Sequence, residues 1–129
     1  MEILFLDDQQ FRHNIFGSMF PETVHVYFAW HAIGVLPTRA WDIVSLDHDL
    51  TGPDHEDSAR PTSGMEVVRM LCAKSLPIQH IWIHTHNEKA GLAMCEMLTH
   101  GGYQAIYLPF TWTLSKNWEP GDLDFLWKP

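Results

Sequence analysis

Apolar residues follow two rhythms along this chain, short unbroken runs and helical spacings, and the two alternate. Residues 2–6 are an apolar run that stops at Asp7 and Asp8, as a strand buried on both faces does. Phe11, Ile15, Phe16 and Met19 then recur at helical spacing until Pro21 ends the pattern. Residues 23–28 are β-rich and predict a second strand. Between Ala29 and Ala40, Gly34 and Pro37 interrupt the pattern, which leaves this stretch open between a short helix and a loop. Residues 42–46 repeat the strand rhythm and end, like the first run, in acid: Asp47, His48, Asp49.

From Thr51 to Thr62 the chain turns to Gly, Pro, Asp, Ser and His, the longest loop in the pattern, and one placed to cover a site at the preceding strand end. Ser63 is positioned to cap a helix whose core face is Met65, Val68, Met70 and Leu71 and whose last turn carries Lys74. Residues 78–84 predict a fourth strand, residues 88–98 a further helix closed by Gly101 and Gly102, and residues 103–108 a fifth strand. Alternation of this kind predicts an α/β fold, a doubly wound parallel five-stranded sheet with helices on both faces. After Pro109 the rhythm is lost. Trp112, Trp118, Phe125 and Trp127 stand among Pro, Gly and Asp, a Trp-rich tail expected to wrap the domain over residues 110–129 or, alternatively, to serve as a protein contact.

At 129 residues with 46% apolar content, the chain matches one domain with a single core. No apolar run is long enough to cross a bilayer, and the acidic start does not read as a signal peptide, so no membrane role and a cytoplasmic location are expected. Cys72 and Cys95 sit in apolar helical patterns and read as core thiols rather than a disulfide framework. A formal charge of −8 argues against nonspecific nucleic-acid binding, which draws on many Lys and Arg contacts. A small phosphorylated ligand held through a cation remains compatible with it.

In open α/β sheets, ligands bind beyond the carboxyl ends of the strands. Here those ends carry Asp7-Asp8, Asp47-His48-Asp49 and His84-Thr85-His86-Asn87. With strand order 2-1-3-4-5 the three ends are neighbours, within about 10 Å at the usual ~4.8 Å strand spacing. A single Asp after a strand is commonly a turn former or a cap. Four carboxylates gathered at one edge repel one another, however, and a hard divalent ion relieves that through oxygen ligands. His84 and His86, two apart, are expected to point the same way, toward metal or phosphate. His13, His25, His31, His80 and His100 read as surface or satisfied core groups, and His55, in its acidic loop, as a lesser candidate.

Leu4-Phe5-Leu6-Asp7-Asp8, Ser45-Leu46-Asp47-His48-Asp49-Leu50, Ser63-Gly64-Met65-Glu66-Val67-Val68 and His84-Thr85-His86-Asn87, in this order, resemble the cyclic-phosphate processing receiver-like domains, a branch of the response-regulator receiver superfamily. The resemblance covers roughly residues 2 to 98 and implies a flavodoxin-like fold and action on cyclic phosphate ends of nucleotides or related ligands. From ordinary receivers it implies magnesium binding for Asp7 and Asp8, and a phosphoacceptor role for Asp47. Two departures stand out. A lysine before the proline after strand five is replaced by Leu108, against a phosphorelay role, and the arginine expected beside the acidic pair stands further along, at Arg12, which is given no phosphate role.

The expected function is a metal-dependent phosphoesterase acting on a cyclic-phosphate nucleotide. Asp7, Asp8 and Asp47 would hold Mg or Mn, and His48 or His84 would act as acid or base, with Asp49 orienting a histidine. Thr85 is assigned with them to catalysis and, together with Asn87, to hydrogen-bonding a phosphate oxygen, while Ser63 and His86 complete the substrate-binding set. The alternative is a noncatalytic receiver-like signalling module that binds a nucleotide or a protein. A helical metal-dependent phosphohydrolase is disfavoured, because His48-Asp49 follows a β-rich run instead of lying on a helix.

Overall fold

A computed structural model of the chain describes residues 1–52 and 55–110. Five parallel strands, β1 (Ile3–Leu6), β2 (Val24–Val26), β3 (Trp41–Leu46), β4 (Ile78–Ile83) and β5 (Ala105–Tyr107), form one sheet in the order β2-β1-β3-β4-β5. Four helices, α1 (Gln10–Met19), α2 (Ala29–Val35), α3 (Gly64–Lys74) and α4 (Glu88–His100), connect the strands, which makes this a doubly wound receiver-like fold.

The pleat sorts each strand into two cores, because successive side chains face opposite sides. Leu4, Leu6, Val44, Leu46, Ile81 and Ile83 meet α2, α3 and α4 on one face. Ile3, Phe5, Ile43 and Trp82 meet Phe16 of α1 on the other, joined by Leu108 and Phe110. The central strands are buried on both faces, which is why they read as unbroken apolar runs.

The open stretch after β2 resolves into α2 and a 3-10 turn, Leu36–Thr38, with Pro37 at its start, where a missing N–H costs nothing. The apolar face expected on α1 is rotated: Phe11 is 55% exposed, while His13 and Phe16 are buried. His13 earns that place by polar bonds, its Nε2 lying 2.8 Å from the Asp7 carbonyl and its Nδ1 2.7 Å from His25 Nδ1. α4 runs two residues past Leu98, and Gly102, at φ +91°, ends the connection to β5. Cys72 and Cys95 are free and half-buried, and burial pushes the Cys95 thiol up to about 11. Among the described residues no helix is long and apolar enough to cross a membrane. The tail expectation falls on residues outside those described, except for Phe110, which is buried and donates its N–H to the His84 carbonyl at 3.0 Å.

Candidate functional site

Parallel pairing sets the site. Leu6 is in register with Leu46, and Leu46 with Ile83, so Asp7, Asp47 and His84 each follow the last residue of a neighbouring strand. The ladder continues one step beyond, with Asp47 N–H donating to Leu6 O and His84 N–H to Leu46 O, both at 3.0 Å. The three side chains meet there: one ligand atom from each of Asp7, Asp47 and His84 lies within 4.8 Å of the others. All three are buried, at 0%, 3% and 1% exposure.

The cluster's partners are internal. Arg12 Nη1 lies 3.2 Å from Asp7 Oδ2 and 3.5 Å from Asp47 Oδ2, and His84 Nε2 lies 2.9 Å from Asp7 Oδ2. Burial pushes the Asp7 carboxyl up, but the His84 bond and charge, with Arg12, outweigh it and hold Asp7 below the usual carboxylate value. Asp47 goes the other way. Burial, reinforced by the charge of Asp7 and only partly opposed by His84 and Arg12, raises it to about 7. Two carboxylates this close do not ionise together easily, and Asp7, with the better partners, keeps the charge.

Beside the cluster opens a small cleft of about 50 Å³, room for about four water-sized positions. Asp8, Gln9, Arg12, Asp47, Asp49, Gly52, Thr85 and His86 line it. Burial and the charge of Asp7 raise the Asp8 carboxyl, whose Oδ2 accepts the Gly52 N–H at 3.1 Å. Burial, with the charges of Arg12 and His84, lowers His86.

The residues expected from the sequence divide in space. Asp7, Asp47 and His84 come together, while Asp8 stands apart at the cleft, so the cluster is a two-carboxylate, one-imidazole set instead of the expected aspartate triplet. His84 and His86 do not point the same way: β4 ends at Ile83, the alternation of the strand stops with it, and His84 is buried while His86 is exposed. His48 is fully buried between Asp49 Oδ1 at 2.7 Å and Ser58 Oγ at 2.8 Å, which occupies both ring nitrogens. Asn87 is the N-cap of α4, its side-chain oxygen accepting the Ala90 N–H at 3.3 Å, and its own N–H donates to Thr85 Oγ. Ser63 is buried at the start of α3, where its hydroxyl donates to the Arg60 carbonyl at 2.9 Å, so it neither caps the helix by its side chain nor faces the cleft.

Two residues escaped the sequence reading. Arg12, set aside for its distance from the acidic pair, is carried back over the strand ends by the first turn of α1. Glu56 is buried inside the β3–α3 loop, where its carboxylate accepts from Leu50 N–H, Thr51 Oγ and Thr62 Oγ. The length of the loop was visible, but no spacing marks which of its acids turns inward.

The donors present suit a divalent cation: two carboxylates and an imidazole converge where little water reaches, with the carboxylates of Asp8 and Asp49 on the adjoining cleft. Asp47 Oδ2, in a side chain 4% exposed, pairs with Arg12 Nη1 at 3.5 Å.

Solved structures of similar fold include response regulators and a receiver domain. A CheY-like response regulator receiver domain from Methylobacillus flagellatus aligns at TM-score 0.60 and 21% identity, covering 98% of this chain and 94% of that one. A response regulator from Colwellia psychrerythraea aligns at TM-score 0.57 and 17% identity, covering 82% and 80%. A response regulator protein from Burkholderia pseudomallei with a phosphorylated aspartic acid, calcium ion and citrate aligns at TM-score 0.58 and 14% identity, covering 97% and 70%. Among curated proteins none matches. The model of the cyclic-phosphate processing receiver domain matches residues 2–100, and with the strand ends in receiver register and the acidic cluster between them, the chain belongs to that family.

Proposed function

We propose that this domain is a receiver-like module that binds the phosphoryl group of a small ligand, nucleotide-derived or free, in the cleft beside Asp47, through a divalent cation held by the strand-end acids. The observation that carries this reading is the cleft itself, about 50 Å³, lined by one cationic residue, Arg12, by Thr85 and by the acids Asp8, Asp47 and Asp49. A bound cation would neutralise the carboxylates and polarise phosphoryl oxygens. Arg12 would supply directed N–H donors to the same oxygens. The Burkholderia pseudomallei receiver, which carries a phosphorylated aspartate with calcium, supports the compatibility of this fold with cation and phosphoryl group together.

Binding without turnover is favoured by the state of the two histidines first assigned to acid–base work. His48 and His84 each have both ring nitrogens engaged and are buried. The test is calorimetric titration of the Mn2+-loaded chain with inorganic phosphate, acetyl phosphate and a nucleoside 2′,3′-cyclic phosphate. Cation-dependent binding of at least one, lost in Arg12→Ala, is expected. Absence of cation-dependent binding for all three would remove this function.

A second reading, hydrolysis of a cyclic phosphate, draws on the family description and on His86, an exposed imidazole on the cleft whose pKa partial burial and the charges of Arg12 and His84 hold below its ordinary value. Turnover of the cyclic nucleotide that disappears in His86→Ala, with binding retained, would establish it over the first.

A further inference from the structure

Two serine–histidine–aspartate chains run through the described residues, and they differ in what stands at the serine end. Ser45 Oγ lies 2.7 Å from His84 Nδ1, and His84 Nε2 lies 2.9 Å from Asp7 Oδ2, but Ser45 is 1% exposed and out of a reagent's reach. The second chain uses the ring the other way round: Asp49 Oδ1 lies 2.7 Å from His48 Nδ1, and Ser58 Oγ lies 2.8 Å from His48 Nε2. His48 is fully buried, whereas Ser58 is half-buried, so this chain ends on a hydroxyl that a small molecule can approach.

The direction of these bonds follows from the acceptors. Asp49 Oδ1 also accepts the Glu56 N–H at 2.8 Å, so His48 Nδ1 donates to it. A neutral ring that donates at Nδ1 accepts at Nε2, and the Ser58 hydroxyl is then the donor there. A hydroxyl within hydrogen-bond reach of a base whose other nitrogen is held by a carboxylate has the geometry of an activated nucleophile. Neither His48 nor Ser58 lines the cleft beside Asp47, although Asp49 does, and the function proposed above makes no use of Ser58.

We infer that Ser58, with His48 as its base and Asp49 as the positioning residue behind the ring, is a nucleophile that takes the acyl group of a small uncharged ester. Ser58 Oγ bonds to the acyl carbon while its proton passes to His48 Nε2, the ester C–O bond breaks, and the alcohol leaves with that proton. Water then attacks the acyl-serine, its proton returns through His48 to Ser58 Oγ, and the carboxylic acid is released. The acids Asp49, Glu56 and Asp57 around the hydroxyl, with a net charge of −8, disfavour an anionic donor, and Arg69, on the Ser58 carbonyl at 2.9 Å, is itself paired with Glu66. The two N–H groups after Ser58 are committed to the turn, Ala59 to Asp57 Oδ1 at 2.9 Å and Arg60 to the Asp57 carbonyl at 3.0 Å, instead of to an oxyanion. One acylation followed by slow release is therefore expected, not rapid turnover.

The test treats the whole chain with p-nitrophenyl acetate and, to map the site, with an alkyl fluorophosphonate read by peptide mass spectrometry. A burst of about one p-nitrophenolate per chain, abolished in Ser58→Ala, is expected. The phosphonyl adduct should fall on Ser58 and spare both the exposed Ser18 and the buried Ser45. Labelling of Ser58 no faster than that of Ser18 overturns the inference, whether or not any variant folds. His48→Gln should slow labelling of Ser58 by about a hundredfold and Asp49→Asn by about tenfold or more. Labelling of Asp49→Asn at the wild-type rate removes Asp49 from the device. Nitrogen-15 resonances of the His48 ring give a readout independent of labelling: at neutral pH, Nδ1 should carry the proton and Nε2 should not. An imidazolium, or a ring protonated at Nε2, offers no lone pair to the Ser58 hydroxyl and overturns the inference.

Discussion

Two aspartate–histidine pairs stand at the carboxyl edge of this sheet and serve different ends. His84 Nε2 lies 2.9 Å from Asp7 Oδ2, and His48 Nδ1 lies 2.7 Å from Asp49 Oδ1, so the pairs are alike in chemistry and length. Their remaining bonds diverge. Asp7 faces Arg12 and Asp47, which concentrates charge beside the cleft. His48 reaches Ser58, and Asp49 Oδ1 also accepts the Glu56 N–H at 2.8 Å, which fastens the β3–α3 loop over the strand end. The same partnership lowers the Asp49 carboxyl despite its burial, through the His48 bond and the Glu56 N–H. A perturbed carboxylate can therefore belong to a charge cluster or to a loop clasp, and Asp49, which also lines the cleft, stands where the two meet.

The division between charge cluster and loop clasp can be broken where the two touch. Gly64 N–H donates to the His48 carbonyl at 2.8 Å, and a Cβ on Gly64 would fall 1.9 Å from the Asp47 carbonyl oxygen, which cannot yield without moving β3. Gly64→Ala is expected to cost about 3 kcal/mol or more in urea unfolding and to weaken both regions. A stable variant with intact cation binding would show that α3 slides freely against the strand end.

Glu56→Ala tests the clasp alone. It strips the partner from the Leu50 N–H and from two threonine hydroxyls and should cost roughly 3 kcal/mol by the same measurement. Cation-dependent phosphate binding should fall far less than in Arg12→Ala. Equal losses would mean that the clasp and the cluster are one unit.

Asp47→Asn sharpens the electrostatic side. The folded-state value of Asp47 is raised from 3.8 to about 7, so the native chain holds a proton that the unfolded chain has released between those values. Its contribution to stability is therefore present below about pH 4 and is lost as pH rises through 7. In chelator, Asp47→Asn should exceed the wild type at pH 8, by on the order of 2 kcal/mol, and lose that advantage at pH 4. An advantage independent of pH would place the burden elsewhere. Asp7, held below its usual value, acts in the opposite sense, its contribution fading as pH falls through its folded value. The smallest effect is expected from Asn87→Ala, which removes the α4 cap, about 1 kcal/mol, and leaves cation binding unchanged.

Much of this was legible in the order of residues. Strands buried on both faces announce themselves as apolar runs, and the acids that end β1 and β3 stand next to those runs, so their convergence followed once the sheet order was inferred. What escaped depended on short changes of direction. Three residues into α1, Arg12 lies over the strand end rather than beyond it. His84 and His86 separate because the strand stops one residue before the first of them. Asn87 carried an ordinary cap signal, an Asn immediately before a helix, yet its company of histidines made it read as a ligand.

By itself, then, the sequence determined which segments become strands and which of them end in acid, because periodicity and strand termination are local properties that neighbouring residues impose. Only the tertiary structure decided how the charge is distributed among those acids. Asp7 and His84 are far apart in the chain yet 2.9 Å apart in space. Which carboxyl keeps its proton, and which cation answers it, depends on distances and burial that arise only when the strands lie side by side.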